Sequence, residues 1–159
     1  MRKKTIEDYA EIIYNLQKKK KRVQTSDIAQ ALNINPASVT EIFQKLSKEG
    51  YLHYEKYSGV SLTDKGRIIA LKTRDKHAKI KEFLITLGVD KKTAESDACE
   101  IEHIIHKTTM DTIEKFLEIV KTCEITPLLI NRLNNYKKTG KLEKCPDEIY
   151  EICKKYQTK

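Results

Sequence analysis

A group of potential metal ligands recurs at helical spacing between residues 90 and 106. One face of the helix that this stretch predicts carries, at positions i, i+3, i+4 and i+7, the residues Cys99, Glu102, His103 and His106. A thiolate, a carboxylate and an imidazole held one turn apart can converge on a divalent ion. Each residue alone also has an ordinary explanation, as a small buried hydrophobe, a solvated acid or a surface histidine. The spacing alone therefore leaves a metal site and an ordinary helix face as equal alternatives.

Further ligands would have to come from other elements, because one helix face offers only part of a coordination shell. Asp8 and Glu11 are three residues apart on one face of a predicted first helix, and His77 lies on a long helix predicted from Lys65 to about Leu87. These residues could complete the site from elements distant in sequence. Such a site would tie the first half of the chain to the second.

The first half of the chain shows the order of elements of a winged helix-turn-helix. An amphipathic helix around residues 9–16 precedes the capping residues Thr25-Ser26-Asp27 and a short helix, and a second helix of the pair starts at Pro36 and stops at Gly50. Alternation at residues 51–54 and 60–62 predicts a β-hairpin, a candidate wing. We therefore predict a mainly α fold: an N-terminal winged helix-turn-helix with a small β-hairpin wing, followed by an all-α domain.

The helix from Pro36 to Lys48 would enter the major groove of DNA through the faces that its apolar stripe leaves open. Ser, Thr and Gln side chains exchange hydrogen bonds with base edges, and lysines neutralise phosphates. The candidate DNA-binding residues on this helix, the preceding helix and the hairpin are Thr25, Ser26, Ala37, Ser38, Thr40, Glu41, Gln44, Lys45, Lys56 and Tyr57. A module used only for dimerisation or protein contact is the alternative.

The distribution of charge favours a polyanionic partner for the first half. The chain has 159 residues and a formal net charge of +8. Residues 1–72 hold 14 basic and 8 acidic side chains, a net of +6, whereas residues 73–159 hold 17 and 15, a net of +2. Basic side chains that neutralise phosphates release counterions and so strengthen association. The basic run at residues 18–22 is either part of this surface or a solvated loop.

The remaining patterns predict helices and a reducing environment. A helix is expected from Asp90 to about His106, another from Thr109 or Asp111, a break at Pro127, and two helical pieces near residues 128–138 and 146–156. We divide the chain into residues 1–72, 73–125 and 126–159. Neither a membrane-spanning run nor a signal peptide is recognised, so a cytoplasmic location is expected. Free thiols are expected for all four cysteines, Cys99, Cys123, Cys145 and Cys153.

Together these stretches resemble the diphtheria-toxin-repressor family of metal-dependent transcriptional regulators, including its smaller manganese-responsive branch. The resemblance covers residues 5 to about 120. It rests on the ordered motifs Glu7-Asp8-Tyr9, Thr25-Ser26-Asp27-Ile28-Ala29, Ser38-Val39-Thr40, Gln44-Lys45-Leu46, Tyr54-Glu55-Lys56-Tyr57, Leu62-Thr63-Asp64-Lys65-Gly66 and Cys99 to His103.

The resemblance implies a homodimer that binds a double-stranded DNA operator when metal is present, usually to repress metal-uptake genes. By position, the principal metal site would use Asp8, Cys99, Glu102 and His103. A second ion would lie near Glu11, His77 and Glu102, with Glu102 bridging. Residues 73 to about 125 would supply the dimer interface and most ligands, and no Src-homology-3-like third domain is expected.

The sequence combines features of two branches of that family. Asp8 resembles the manganese branch and Cys99 the iron branch, and because thiolate is the softer ligand we favour Fe(II), then Mn(II), with Zn(II), Co(II) or Ni(II) as further possibilities. The ancillary site of the iron branch is in doubt, since Glu95 and Lys81 replace its ligands. No organic cofactor is expected.

Two other functions compete with this interpretation. The first is a metal-independent winged-helix regulator that senses a small organic ligand between its domains, and its DNA binding would be indifferent to a chelator. The second is a metal-dependent hydrolase, which would need an open coordination position and a general base. We find no HExxH motif or nucleophile constellation in the sequence, so we do not expect an enzyme.

Overall fold

The chain forms helices around a single small hairpin in the part that the computed structural model describes, residues 1–56, 58–123, 125–142, 144 and 150. The elements in chain order are α1 (Lys3–Gln17), α2 (Thr25–Leu32), α3 (Pro36–Lys48), β1 (Leu52–Glu55), β2 (Gly59–Leu62), α4 (Asp64–Thr86), α5 (Lys91–Ile104), α6 (Lys107–Thr122) and α7 (Thr126–Thr139). The predicted fold class is thereby confirmed. None of the helices described is both long and apolar enough to cross a membrane.

Capping interactions mark the N-termini of both helices of the helix-turn-helix. Pro36 opens α3, and the Asn35 side chain accepts a hydrogen bond from the Ala37 N–H, which satisfies one of the free donors of the first turn. The predicted cap of α2 is displaced by one residue. Gln24 is the N-cap, and its N–H donates to the Asp27 carboxylate over 2.9 Å, so Thr25 and Ser26 belong to the first turn.

The hairpin follows α3 directly and is joined to the loop before α2. β1 and β2 pair antiparallel with Leu52 opposite Leu62, and Val23 forms an additional antiparallel bridge with Val60. Val23, Leu52 and Val60 are buried, so the wing shares the core of the helix-turn-helix. The hairpin is held on two sides rather than projecting freely.

Two predicted boundaries in the second half were wrong. α5 ends at Ile104 rather than near His106, and α6 begins at Lys107 rather than at Thr109 or Asp111. Ile105 and His106 are extended and form the whole connection, and His106 occupies the N-cap of α6 without a side-chain hydrogen bond. Since no residue there offers a capping side chain, the sequence carried no cue for this start.

The C-terminal predictions had different outcomes. The break predicted at Pro127 is found just before it, between the end of α6 at Thr122 and the start of α7 at Thr126, and Pro127 lies in the first turn of α7, where its missing N–H costs nothing. The helix predicted near residues 146–156 lies almost wholly outside the described residues, as do Cys145 and Cys153. The predicted division after residue 72 falls inside the continuous helix α4 and stays a prediction.

The described residues form two hydrophobic cores. The first joins α1, α2, α3 and the hairpin, and its centre is Phe43, whose ring meets the Tyr9 ring edge-on at 6.2 Å. The second joins α4, α5 and α6 through Ile80, Ala98 and Leu117. α1 packs into the first core and also contacts α4 and α5, so one helix is shared by both halves.

Candidate metal centre and DNA-reading surface

An acidic cluster around one imidazole lies where α1 meets α5. Nε2 of His103 is 2.9 Å from Oδ1 of Asp8 and 3.4 Å from Oε1 of Glu102. The side chains of His103 and Glu102 are only 2% and 1% exposed, whereas that of Asp8 is 32% exposed. The structure thus brings together three of the four residues assigned by resemblance to the principal metal site.

Glu7 is a member of this cluster that the sequence analysis missed. Nδ1 of His103 lies 2.9 Å from Oε2 of Glu7, and both side chains are buried. Oε1 of Glu7 also lies 3.8 Å from the ammonium nitrogen of Lys76 on α4. The cue in the sequence was a carboxylate on the apolar face of α1, three residues before the buried Ala10 and six before the buried Ile13.

The residues assigned to a second ion lie beside this cluster. Nδ1 of His77 is 3.0 Å from Oε2 of Glu102, which places His77 on the opposite side of that carboxylate from His103. Nε2 of His77 is 3.2 Å from Oε1 of Glu95, and Lys81 pairs with the same Glu95. Glu95 and Lys81 therefore form a salt bridge at the position where the iron branch was expected to have its ancillary ligands.

Burial raises the pKa values of three carboxyl groups at this site, those of Asp8, Glu11 and Glu102. For Glu102, desolvation and then the charges of Glu11, Asp8 and Glu7 raise the pKa from 4.5 to about 8. Burial also raises the pKa values of Asp8 and Glu11. His103 opposes the shift at Asp8, and His77 opposes the shift at Glu11. The carboxyl groups of the cluster are therefore costly to ionise together, and a bound cation would remove that cost.

Cys99 lies at the edge of the cluster rather than inside it. The residue is exposed, and it makes no hydrogen bond or ion pair with any residue that the structure describes. Partial burial, followed by the charges of Glu102 and Asp8, raises the pKa of the thiol. Its sulfur is therefore protonated near neutral pH in the absence of metal. His106, which the sequence placed on the same helix face, lies beyond the end of α5, is exposed and takes no part in the cluster.

The residues present fit a divalent cation. Nε2 of His103 is buried and has no hydrogen bond to any residue in the described part of the chain, although two carboxylate oxygens lie within 3.4 Å. Because Nδ1 is engaged by Glu7, Nε2 is the nitrogen left to bind a metal, as in carboxylate–histidine–metal arrangements. Within the described part of the chain, no three His, Cys, Asp or Glu side chains already have the mutual spacing of ligands around one ion. The side chains would have to rotate from their present pairing.

The predicted DNA-binding residues lie on an exposed surface formed by α2, α3 and the hairpin. An open cleft of about 350 Å³ separates these elements and is lined by Gln24, Thr25, Ser26, Thr40, Tyr54, Glu55, Lys56 and Gly59. The α3 side chains that are exposed next to it are Ala37, Ser38, Glu41, Gln44 and Lys45. The Thr40 hydroxyl donates to the Pro36 carbonyl over 3.0 Å, so it has only its acceptor and methyl group to offer. Tyr57 lies outside the described residues.

The sequence matches two family models that together cover most of the chain. Residues 1–60 match the N-terminal DNA-binding domain of iron-dependent repressors. Residues 63–127 match the metal-binding and dimerisation domain of the same proteins. The junction between the two matches lies at the end of β2, just before α4.

Several known proteins are similar to this chain. An uncharacterised HTH-type transcriptional regulator of Methanocaldococcus jannaschii is 43% identical over 119 residues, which is 74% of this chain and 95% of that protein. The HTH-type transcriptional regulator MntR of Lysinibacillus sphaericus is 37% identical over 129 residues, 81% of this chain and 91% of the relative.

Solved structures of manganese regulators have a similar fold. The manganese regulator SloR superposes with a TM-score of 0.63 at 30% identity and covers 71% of this chain. A manganese-dependent transcriptional repressor in complex with manganese superposes with a TM-score of 0.65 at 26% identity, over 71% of this chain. The chain spans about half the length of these two proteins, 53% and 52%.

Glu102→Gln should stabilise the metal-free protein at alkaline pH. Between the unfolded value of 4.5 and the folded value of about 8, the folded protein keeps a proton that the unfolded chain has lost. The free energy of unfolding should therefore fall as pH rises through this window, and the variant should lack that fall. One pKa unit corresponds to about 1.4 kcal/mol. We therefore expect the free energy of unfolding of the variant to be higher than that of the wild type by at least ~1 kcal/mol at pH 8.

The measurement is urea unfolding in chelator across this pH range. Glu100→Gln is the matched control, because Glu100 lies on the same helix but is exposed and paired with Lys4. Parallel pH profiles for the wild type and Glu102→Gln would contradict the assigned charge repulsion.

Proposed function

Because the chain belongs to the iron-dependent repressor family, as its motifs indicated, we propose that a divalent ion held between α1, α4 and α5 switches its binding to operator DNA. The observation that carries this proposal is the buried, unpartnered Nε2 of His103 between the carboxylates of Asp8 and Glu102. The proposed ligands, all on these three helices, are Asp8, Glu11, His77, Cys99, Glu102 and His103. The chain carries a DNA-binding domain and a dimerisation domain, so double-stranded DNA and a second copy of the chain are its partners.

Glu7 would position the imidazole without binding the ion. Its carboxylate accepts from Nδ1 of His103 and thereby fixes the tautomer in which Nε2 carries a free electron pair. Lys76 of α4 lies beside Glu7 of α1 and donates to the backbone carbonyl of Glu102 in α5 over 3.4 Å. It therefore links α4 both to Glu7 and to the residue that precedes His103. His103 therefore keeps one orientation in the absence of metal.

α1 would transmit the state of the metal centre to the DNA-reading helix. Glu7, Asp8 and Glu11 of α1 belong to the acidic cluster, whereas Tyr9 and Ile13 of the same helix belong to the core that contains Phe43 of α3. A bound divalent ion supplies positive charge that offsets the carboxylates and favours the arrangement in which α1 is held against α5. Any change in how α1 sits on α5 is then carried through Tyr9 and Phe43 to α3, since packed cores do not deform continuously.

In the dimer, the two copies of α3 would meet successive major grooves. Gln44 and Ser38 offer hydrogen-bonding groups to base edges, and Lys45 offers charge to a phosphate. Such binding requires a fixed separation between the reading helices of the two subunits. Because α1 packs in the first core and also contacts α4 and α5, the metal centre would control that separation.

The set of proposed ligands also bears on which divalent ion binds. The relatives named above include regulators of manganese, and the family model names iron. Asp8 and the glutamates are hard oxygen ligands suited to Mn(II), but the Cys99 thiol adds a softer donor. We propose that Cys99 shifts the preference from Mn(II) toward Fe(II), with a cytoplasmic pool of reduced metal as the signal.

Metal should strengthen DNA binding at least tenfold, within the range usual for allosteric coupling. The measurement is anaerobic fluorescence anisotropy with a duplex from upstream of the protein's own gene, at fixed salt, in chelator, Fe(II), Mn(II) or Zn(II). Glu102→Gln and His103→Ala should lose the metal response because they remove ligands, whereas the exposed Glu100→Gln should keep it. Equal binding by the wild type in chelator and in metal would instead favour the metal-independent regulator.

Cys99→Glu should change which metal binds best. Replacement of the thiolate by a carboxylate is expected to lower the affinity for Co(II) relative to Mn(II) by about tenfold, a difference of ~1.4 kcal/mol. Co(II) bound to the wild type should show a thiolate-to-metal charge-transfer absorption that Cys99→Glu abolishes. Cys123→Ser, at the half-buried end of α6, is the matched control and should keep the band. A band that survives in Cys99→Glu would exclude Cys99 as a ligand.

Glu7→Ala should weaken metal binding although Glu7 is not a proposed ligand. Loss of a carboxylate that orients a ligating histidine typically lowers metal affinity 10–100-fold, so a loss of about that size is expected in titration calorimetry with Mn(II). Glu7→Gln should recover part of the affinity because its amide oxygen can still accept from Nδ1. The ¹⁵N chemical shifts of the His103 ring give a second readout, since Glu7→Ala should mix the two tautomers. Unchanged affinity and unchanged shifts would show that Glu7 is only a buried structural acid.

A further inference from the structure

A run of five consecutive basic residues connects α1 to α2 and takes no part in the functions considered so far. We name this segment, residues 18–22 with the sequence Lys-Lys-Lys-Lys-Arg, the basic loop. All five side chains are exposed. The sequence alone could not distinguish a binding surface from a solvated connection, because charge runs of this kind serve both purposes.

Contacts at both ends fix the basic loop to its neighbours. Arg22 donates from Nε to the carbonyl of Ser58 in the hairpin turn over 2.6 Å, and Val60 N–H donates to the carbonyl of Val23 over 2.9 Å. Lys20 forms a 2.6 Å ion pair with Asp27 in the first turn of α2. The loop is therefore an ordered third edge of the wing rather than a free connection.

The position of the basic loop continues the DNA-reading surface. Gln24, two residues after Arg22, already lines the cleft shared by α2, α3 and the hairpin. Lys21 and Arg22 line a neighbouring depression of about 270 Å³ on the other side of Gly59, together with Ser58 and Ser61 of the hairpin. A duplex seated on α3 and touching the wing would extend toward these side chains.

Two of the lysines are left to bind an external anion. Lys20 is neutralised by Asp27, and the ammonium of Lys18 lies 4.7 Å from the centre of the Tyr14 ring. Lys19 and Lys21 have no carboxylate partner among the residues that the structure describes. An ordered loop with unneutralised charge of one sign beside a DNA-binding surface is suited to phosphate, because the loop has already lost the conformational freedom that binding would remove.

We infer that the basic loop is a second DNA contact surface, in which Lys19 and Lys21 bind the sugar-phosphate backbone beside the base pairs that α3 reads. This inference rests on the proposed DNA binding but not on the metal switch. Phosphate contacts carry no sequence information, so the loop would strengthen binding to every duplex alike. Its contribution would also be present in chelator, since none of its contacts involves the metal centre.

The salt dependence of DNA binding tests this inference. DNA binding is measured by fluorescence anisotropy between about 50 and 200 mM salt in two experiments. The first uses the metal-loaded protein with the duplex from upstream of its own gene, and the second uses the metal-free protein with a duplex of unrelated sequence. The logarithm of the association constant falls linearly with the logarithm of the salt concentration, and each phosphate contact makes this slope steeper by about 0.9. A dimer of the Lys19→Gln/Lys21→Gln variant loses up to four such contacts. The magnitude of the slope should therefore decrease by about 2 to 4 on both duplexes.

The matched control is Lys91→Gln/Lys92→Gln, which removes the same charge from exposed positions at the start of α5. If the control variant reduced the magnitude of the slope as much as the loop variant does, the effect would be one of net charge and the inference would fail. An unchanged slope in the loop variant would overturn the inference while the proposed function stands. If the wild type bound neither duplex at the lowest salt, the proposed function would fail and the inference with it.

Discussion

A buried concentration of negative charge, centred on His103 where α1 meets α5, constrains the rest of the structure. Glu102 on α5 and Glu7 on α1 are both almost fully buried beside this imidazole. Buried carboxylates are costly unless they are paired with cations or protonated, and burial, followed by the charges of the neighbouring acids, raises the pKa of Glu102 to about 8. The helices are thus assembled around a site that is satisfied only in part by the protein's own groups.

The same constraint explains why α1 can join two halves of the molecule. A helix with a single apolar stripe would belong to one core, but α1 directs Tyr9 and Ile13 into the DNA-reading module and Glu7 into the acidic cluster. Apolar packing fixes the first contact whatever the metal content, whereas the second contact depends on the charge at the cluster. In the proposed switch, a change in that charge would therefore act on the attachment of one module to the other and leave the fold of each intact.

The fold could be predicted from the sequence wherever local chemistry marks an element. Pro36 and the apolar stripe at Val39, Phe43 and Leu46 gave the bounds of α3, and the spacing from Cys99 to His103 directed attention to α5. The start of α6 was missed because His106 caps it without a side-chain hydrogen bond. Glu7 was missed for a different reason: its role depends on a partner 96 residues away, which helical periodicity within α1 cannot reveal. Tertiary position, and not local pattern, likewise separates the buried Glu102 from the exposed Cys99 on the same helix.

Affinity for DNA and control by metal would then reside in different parts of the chain. The basic loop is held by contacts to the hairpin and to α2, all within the DNA-reading module, so its charge is presented in the same way in either state of the metal centre. The acidic cluster lies where α1 meets α5 and would act on α3 through the packing of α1 in the first core, which includes the contact of Tyr9 with Phe43. Because ionic strength acts on the phosphate contacts and metal on the geometry, the ratio of specific to non-specific binding would respond to metal more than to salt. A regulator built in this way can remain close to DNA at all times and recognise its operator only when the ion is bound.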